Sequence, residues 1–278
     1  MWAQLVSQSN SCREWRKALK LRKYSFCHLH LTPTKCGIPN DRPRYYSIAV
    51  LLEDSTALSL NKEFRKNIDE SIHEWFVNVI EMEDKLDESP PIHTSIKPLG
   101  VEDQDNNNGL LPISQFLDSG DVTSELHVSE KVLNSNSSWC FDIVTPTDRS
   151  SACFTSSYGK FVRGTGSVLY TGTEDGDQDK AADKIRRIPP EQRQFDSNWK
   201  DGLDLNGNLR YFSGTEIARL FGFPVTPIGM KDGSQWSFRF PPDCTLKQQW
   251  KLMGNSLNVR VASKICEVAL RLVLLRSK

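Results

Sequence analysis

YSFCHLHLTPTKCGIPNDRPRYYSIAVLL (24–52) decides how this chain is read. Its first eight residues alternate like a strand, and RYYSIAVLL (44–52) is a second, apolar strand. The TPTKCGIPNDRP between them holds three prolines and a glycine, so it is a loop, and the pair reads as a hairpin with a long connection. Arg42 and Arg44 flank Pro43 where that loop feeds the second strand. Their planar forks suit a base edge or a phosphate, but a pair of ordinary surface arginines has the same sequence.

Upstream, CREWRKALKL (12–21) predicts a short basic helix. Downstream, residues 61–82 place Phe64, Ile68, Ile72, Trp75 or Phe76, and Val79 at helical spacing. DESPPIHTSIKPLGVEDQDNNNG (87–109) is rich in Pro, Asn and acids and predicts a flexible surface insertion. Residues 139–170 mix short strand-like runs with turns, and 171–208 are loop-rich. Order returns at 209. Ser213 and Glu216 have capping-box spacing, as do Thr245 and Gln248. A last helix over 257–275 puts Val261, Ile265, Val268 or Ala269, and Leu272 on one face. In GNSLNV (254–259) the glycine is expected to end one helix and Asn255–Ser256 to open the next. Free backbone N–H groups there would suit a carboxylate or phosphate.

The 278 residues carry 35 Lys plus Arg and 35 Asp plus Glu, a net charge of zero that conceals a pattern. Residues 13–46 hold nine basic side chains against two acids, 247–278 seven against one, and 53–130 five against eighteen. Basic ends can serve a polyanion, or be solvated helix faces beside an acidic linker. Length and composition exclude a mostly disordered chain, a collagen-like repeat and a small disulfide scaffold. No uncharged apolar run approaches the ~20 residues that cross a bilayer, and MWAQLVSQSN lacks the features of a signal peptide. Seven cysteines without a C-x-x-C suggest reduced thiols in the cytoplasm or nucleus. His28 and His30 have metal-ligand spacing, but two ligands are too few, and no metal is expected. GTGS (164–167) lacks a lysine and reads as a turn rather than a phosphate loop.

Taken in order, these pieces resemble the second half of a cytosine-5 methyltransferase. LTPTKCGIPNDRPRYYSIA resembles the family's eighth motif, LRYFSGTEIARLFGFP the ninth, and QQWKLMGNSLNV the tenth. SACFTSSYGKFVRGTGSVL (151–169) resembles the signature of the branch that methylates tRNA, the tRNA-aspartate cytosine-5 methyltransferases, and LPISQFLD (111–118) fits its recognition domain. The implied fold is α/β: the C-terminal part of a Rossmann-like S-adenosylmethionine-dependent methyltransferase sheet plus a small target-recognition domain. Residues 1–52 would give the last helix and strand hairpin of the catalytic domain. Residues 53–208 would give the recognition domain with its acidic insertion, and 209–278 the ninth- and tenth-motif helices returning to the catalytic domain.

The resemblance also implies roles. Arg42 and Arg44 would hold the target cytosine, and Asn255 and Ser256 would close the methionine end of the S-adenosylmethionine site. Cys153, Phe154 and Thr155 would belong to target recognition, with Lys160 and Arg163 near tRNA phosphates or simply solvated. Arg210 and Glu216 would organise the small domain. In this family a cysteine thiolate attacks carbon-6 of an extruded cytosine, and carbon-5 takes the methyl group. That chemistry needs a Pro-Cys loop, a Glu-Asn-Val acid and a glycine-rich cofactor loop. The sequence contains no Pro-Cys dipeptide and no Glu-Asn-Val. FSG (212–214) resembles the cofactor loop without its second glycine.

The family places those parts ahead of the eighth motif. The chain is therefore expected to be a truncated, catalytically incomplete portion with an incomplete cofactor site, monomeric if it folds, and without a membrane segment. A non-catalytic RNA-binding remnant and a fragment of a DNA cytosine-5 methyltransferase are the competing readings. Without sheet neighbours, the strands at 24–31 and 44–52 are expected to leave open edges, and the helix at 257–275 to lack a packing partner.

Overall fold

A computed structural model describes residues 9–51, 109–120, 123–172, 177, 180, 183–184, 190–196, 199–200, 204–225 and 237–275. The helix expected over 61–82 and nearly all of the acidic insertion lie outside the described residues. The chain divides into two compact units. One holds the described parts of 1–36, 43–109 and 260–278, and the other those of 37–42 and 110–259. The expected segment 209–278 is thus divided between them.

In the first unit, helix α1 (Asn10–Leu21) starts two residues before its expected position. The Ser9 side chain accepts from the Cys12 backbone N–H and caps it. Lys23 then adopts a left-handed φ of 61° and turns the chain into β1 (Tyr24–Leu31). β1 pairs antiparallel with β2 (Arg44–Leu51) over its whole length, from Tyr24↔Leu51 to Leu31↔Arg44. The hairpin with a long connection is therefore formed. Period-two alternation puts Leu29, Leu31 and Ile48 into one cluster with Val261 and Val268 of the last helix, α6 (Val259–Leu275), and Ile265 and Ala269 flank it. This corrects the expectation that the last helix lacks a partner. Its 3.6-residue stripe is covered by the hairpin, because two strands of alternating aliphatics offer a face wide enough for it. Trp15, Leu21, Leu51 and Leu270 of this unit remain exposed.

The second unit is built on three short strands, β3 (Asp142–Val144), β4 (Ser167–Tyr170) and β5 (Leu209–Arg210). β4 is central, parallel to β3 and antiparallel to β5. All four β4 residues are buried. Leu169 joins a cluster with Val144, Phe154, Phe212, Leu220, Phe221 and Trp250 on one face. Val168 and Tyr170 join Ile143, Phe141, Trp199 and Leu209 on the other. A strand covered on both sides reads as a continuous apolar run, which is why SVLY shows no alternation.

LPISQFLD forms a 3₁₀ turn, Ile113–Phe116, with Ile113 fully buried. Between it and β3 lies a one-turn helix, α2 (Glu130–Leu133), and after β4 another, α3 (Pro190–Arg193). Helices α4 (Gly214–Leu220) and α5 (Leu246–Asn255) both carry the capping boxes read from sequence, Ser213/Glu216 and Thr245/Gln248.

Candidate functional site

The second unit gathers three of the sequence elements singled out above around the Arg42 guanidinium. Arg42 is only 2% exposed. Nη1 donates to the Phe154 carbonyl at 2.5 Å and to the Cys153 Sγ at 3.2 Å. Nη2 donates to the carbonyls of Gly254 at 2.8 Å and Ser256 at 2.7 Å. The plane lies over the Phe221 ring, 4.6 Å from its centroid. One buried fork thus ties the Pro-rich loop to Cys153–Phe154 and to the end of α5.

Each partner has a reason to be there. The last carbonyls of a helix have no partner within it and carry the negative end of its dipole, so a guanidinium is favoured on both counts. The loop that brings Arg42 is pinned by Asn40, fully buried, whose Nδ2 donates to the Ser151 Oγ at 3.2 Å and the Ala152 carbonyl at 2.9 Å. The Ser151 hydroxyl donates back to the Pro39 carbonyl at 2.6 Å, and the Asp41 N–H to the Ser151 carbonyl at 2.8 Å. Asn40 and Ser151 were not identified from the sequence. The only available signal was a polar residue inside a Pro-rich loop, which must find partners if buried.

The structure corrects the reading of GNSLNV. Gly254 does not end a helix: α5 continues through Asn255, with Ser256 as its C-cap. Gly254 is required because a Cβ there would run into the Thr155–Ser156 backbone. The N–H groups of Ser256 and Val259 are already given to the Met253 and Phe221 carbonyls, at 3.0 and 2.7 Å. The Asn258 Nδ2 donates to the Leu220 carbonyl at 3.1 Å. Asn255 is exposed and lines an open groove of about 430 Å³ with Pro241, Asp243, Cys244, Gln248, Lys251 and Leu252. The Ser256 hydroxyl donates to the Met253 carbonyl at 2.9 Å.

Phe154 is buried against Tyr158 and Phe212, edge to face at 5.0 and 5.2 Å. Thr155 is half-buried, and its N–H donates to the Thr165 carbonyl at 2.9 Å. Tyr158 is buried, and its hydroxyl donates to the Ser167 carbonyl at 2.6 Å and accepts from the Phe212 N–H at 3.0 Å. Burial pushes the phenol far above its usual pKa, so it stays protonated. Lys160 and Arg163 are exposed on the loop that follows, and GTGS forms the turn that closes it.

Arg44 belongs to the other unit. It is half-exposed at the start of β2, with Nη1 2.8 Å from the Pro43 carbonyl. Arg210 and Glu216 form a buried ion pair within the second unit. Among the described residues, no cluster of three or more His, Cys, Asp or Glu could hold a metal, and no helix is long and apolar enough to cross a membrane.

The sequence profile of the C-5 cytosine-specific DNA methylase family matches residues 4–271. Similar proteins include the human tRNA (cytosine(38)-C(5))-methyltransferase, 32% identical over 269 residues, covering 86% of this chain and 61% of that protein. A DNA (cytosine-5)-methyltransferase of Dictyostelium discoideum is 31% identical over 266 residues, covering 88% of this chain and 57% of that one. Among solved structures, the Dnmt2 methyltransferase of Schizosaccharomyces pombe superimposes with a TM-score of 0.56 at 25% identity, covering 96% of this chain and 64% of that one. The chain spans about three fifths of the length of the curated relatives it matches.

Proposed function

This chain belongs to the C-5 cytosine-specific DNA methylase family, and from that premise we propose that it serves methyl transfer from S-adenosylmethionine to carbon-5 of a cytosine in tRNA, with tRNA-Asp as the substrate. The observation that carries this reading is the Arg42 fork. It links the Cys153–Phe154 block, by resemblance the tRNA-recognition signature, to the end of α5 at Gly254–Ser256, by resemblance the cofactor side. A base-recognition element and a cofactor element joined through one buried residue keep a fixed spacing, which methyl transfer requires.

The residues then divide the work. Arg42 spends its terminal donors inside the protein, so its contribution to holding the cytosine is indirect: it positions the recognition block. Arg44, half-exposed, takes the direct contact with the base or an adjacent phosphate. Asn255 and Ser256 would hold the methionine end of S-adenosylmethionine, which supplies the methyl group when bound. An exposed amide beside an open groove fits a polar carboxylate and ammonium. The groove has no enclosed apolar slot for an adenine, so the rest of the cofactor needs other walls.

No Pro-Cys and no Glu-Asn-Val occur in the sequence, so this chain alone performs no transfer. The six described cysteines are free thiols, which supports a reducing compartment, cytoplasm or nucleus. The Dictyostelium relative's name supports a second reading, with DNA as substrate.

The test is methyl transfer from labelled S-adenosylmethionine to tRNA-Asp and to duplex DNA. It is run with the chain alone and with the chain plus a separately produced Pro-Cys and Glu-Asn-Val segment of the human relative. Transfer to tRNA only in the mixture is expected. Transfer by the chain alone overturns its dependence on the missing motifs, and transfer to DNA but not tRNA favours the second reading.

A further inference from the structure

Phe161 is 57% exposed, yet the loop that carries it is locked to the core of the second unit. The Thr155 N–H to Thr165 carbonyl bond, 2.9 Å, closes the loop at its base. The Thr165 hydroxyl donates to the Phe161 carbonyl at 2.7 Å. The N–H groups of Lys160 and Phe161 both go to the Ser157 carbonyl, at 3.0 and 3.3 Å. Tyr158 anchors the near side, and Gly159, at a φ of 72°, passes so close to Trp250 that a Cβ would collide with its ring. The backbone is tied down while the ring is left outside.

A single exposed Phe is ordinary on any surface. This one differs in its setting. The Lys160 Nζ lies 5.1 Å from its ring centroid, Arg163 is exposed two residues on, and residues 153–166 contain no acid. Val162 between them is half-buried and packs on the cluster that holds Val168 and Tyr170, so it adds little to the exposed apolar surface of the ring. A π-face on a tied-down backbone, with Lys160 over the ring and Arg163 two residues on, matches an unstacked nucleobase with neighbouring phosphates.

We propose that Phe161 is a stacking platform for an unpaired base of the RNA substrate, with Lys160 and Arg163 on the flanking phosphates. This rests on the tRNA reading above and deepens it.

The test is binding of a labelled RNA stem-loop with cytosine in its unpaired loop, beside a blunt RNA duplex of the same stem, by the full chain and its variants. Phe161→Ala is expected to weaken stem-loop binding roughly tenfold, the scale of one lost base–aromatic stack, and to leave duplex binding unchanged. Phe161→Trp should bind as the unaltered chain does, whereas Phe161→Leu should behave like Phe161→Ala, because an aliphatic group keeps the apolar contact without the π-face. Lys160→Ala combined with Arg163→Ala should reduce the slope of log affinity against log salt by about 1.4, two single-strand phosphates' worth. The thermal midpoint of each variant should match that of the unaltered chain, since all three side chains are exposed. Full stem-loop affinity in Phe161→Ala or Phe161→Leu, or an equal loss on the duplex, overturns the stacking role and leaves the tRNA reading standing. An unaltered chain that binds neither RNA overturns both.

Discussion

Arg210 and Glu216, six residues apart, meet through two contacts of 2.8 Å each, with only 5% and 1% of their side chains exposed. Glu216 also accepts the N–H groups of Ser213 at 2.8 Å and Asp118 at 3.0 Å. The same carboxylate thus closes the capping box of α4, neutralises the last residue of β5 and holds the end of the LPISQFLD segment.

Glu216→Gln removes the charge but keeps the shape. The cost is then that of a buried, uncompensated Arg210, about 3–5 kcal/mol, because breaking one half of a buried pair leaves the other desolvated. Ser213→Ala loses the cap on the Glu216 N–H and the bond to Asp118, and should cost about 1–2 kcal/mol. Chemical denaturation of both variants checks the order: Glu216→Gln must be the worse.

Asp118 accepts from the Ser213 hydroxyl at 2.6 Å, the Thr215 hydroxyl at 3.0 Å and the Arg219 Nη1 at 2.8 Å. Burial pushes its carboxyl up, but those hydrogen bonds and the Arg219 charge outweigh burial and hold it below the usual carboxylate value. A depressed folded-state pKa contributes stability above the ordinary carboxylate pKa, and that stability is lost as pH falls through the lowered value. Unfolding midpoints measured from neutral pH downward should fall in that acid window for the unaltered chain. They should fall less steeply for Asp118→Asn, which starts from a lower midpoint at neutral pH.

Gly254→Ala sets two effects against each other. Alanine in a helix is favoured over glycine by ~1 kcal/mol. Overpacking costs ~1–3 kcal/mol or more, and here the obstruction is the Thr155–Ser156 backbone rather than a pliant side chain. The clash wins, so the variant should be less stable than the parent and should expose Cys153 to thiol reagents faster as the Cys153–Ser156 segment is displaced.

Arg42→Lys keeps the charge and loses the fork. Four contacts on four atoms cannot be met by one ammonium, and a hydrogen bond from a charged donor is worth about 1.5–3 kcal/mol. A loss of about 2–4 kcal/mol is expected in denaturant unfolding without any RNA present. An Arg42→Lys chain of undiminished stability would show that the fork is not needed to hold the fold together.

What the sequence determined is what its local physics dictates. Alternating Leu29 and Leu31 specify strand faces, Ser213/Glu216 and Thr245/Gln248 specify helix starts, and the spacing of Val261, Ile265 and Val268 specifies a helical stripe. Each of these signals spans a few residues and depends on periods that the backbone itself imposes. The tertiary structure alone decided that Arg42 is a buried fork rather than a surface cation, that Gly254 lies inside a helix, and that the last helix finds its cover on the hairpin. Arg42 reaches partners 111 to 214 residues away in sequence. No local pattern separates an arginine that meets water from one that meets four chosen acceptors. That difference is set by carbonyls and a thiol which only the folded chain brings within 3.2 Å.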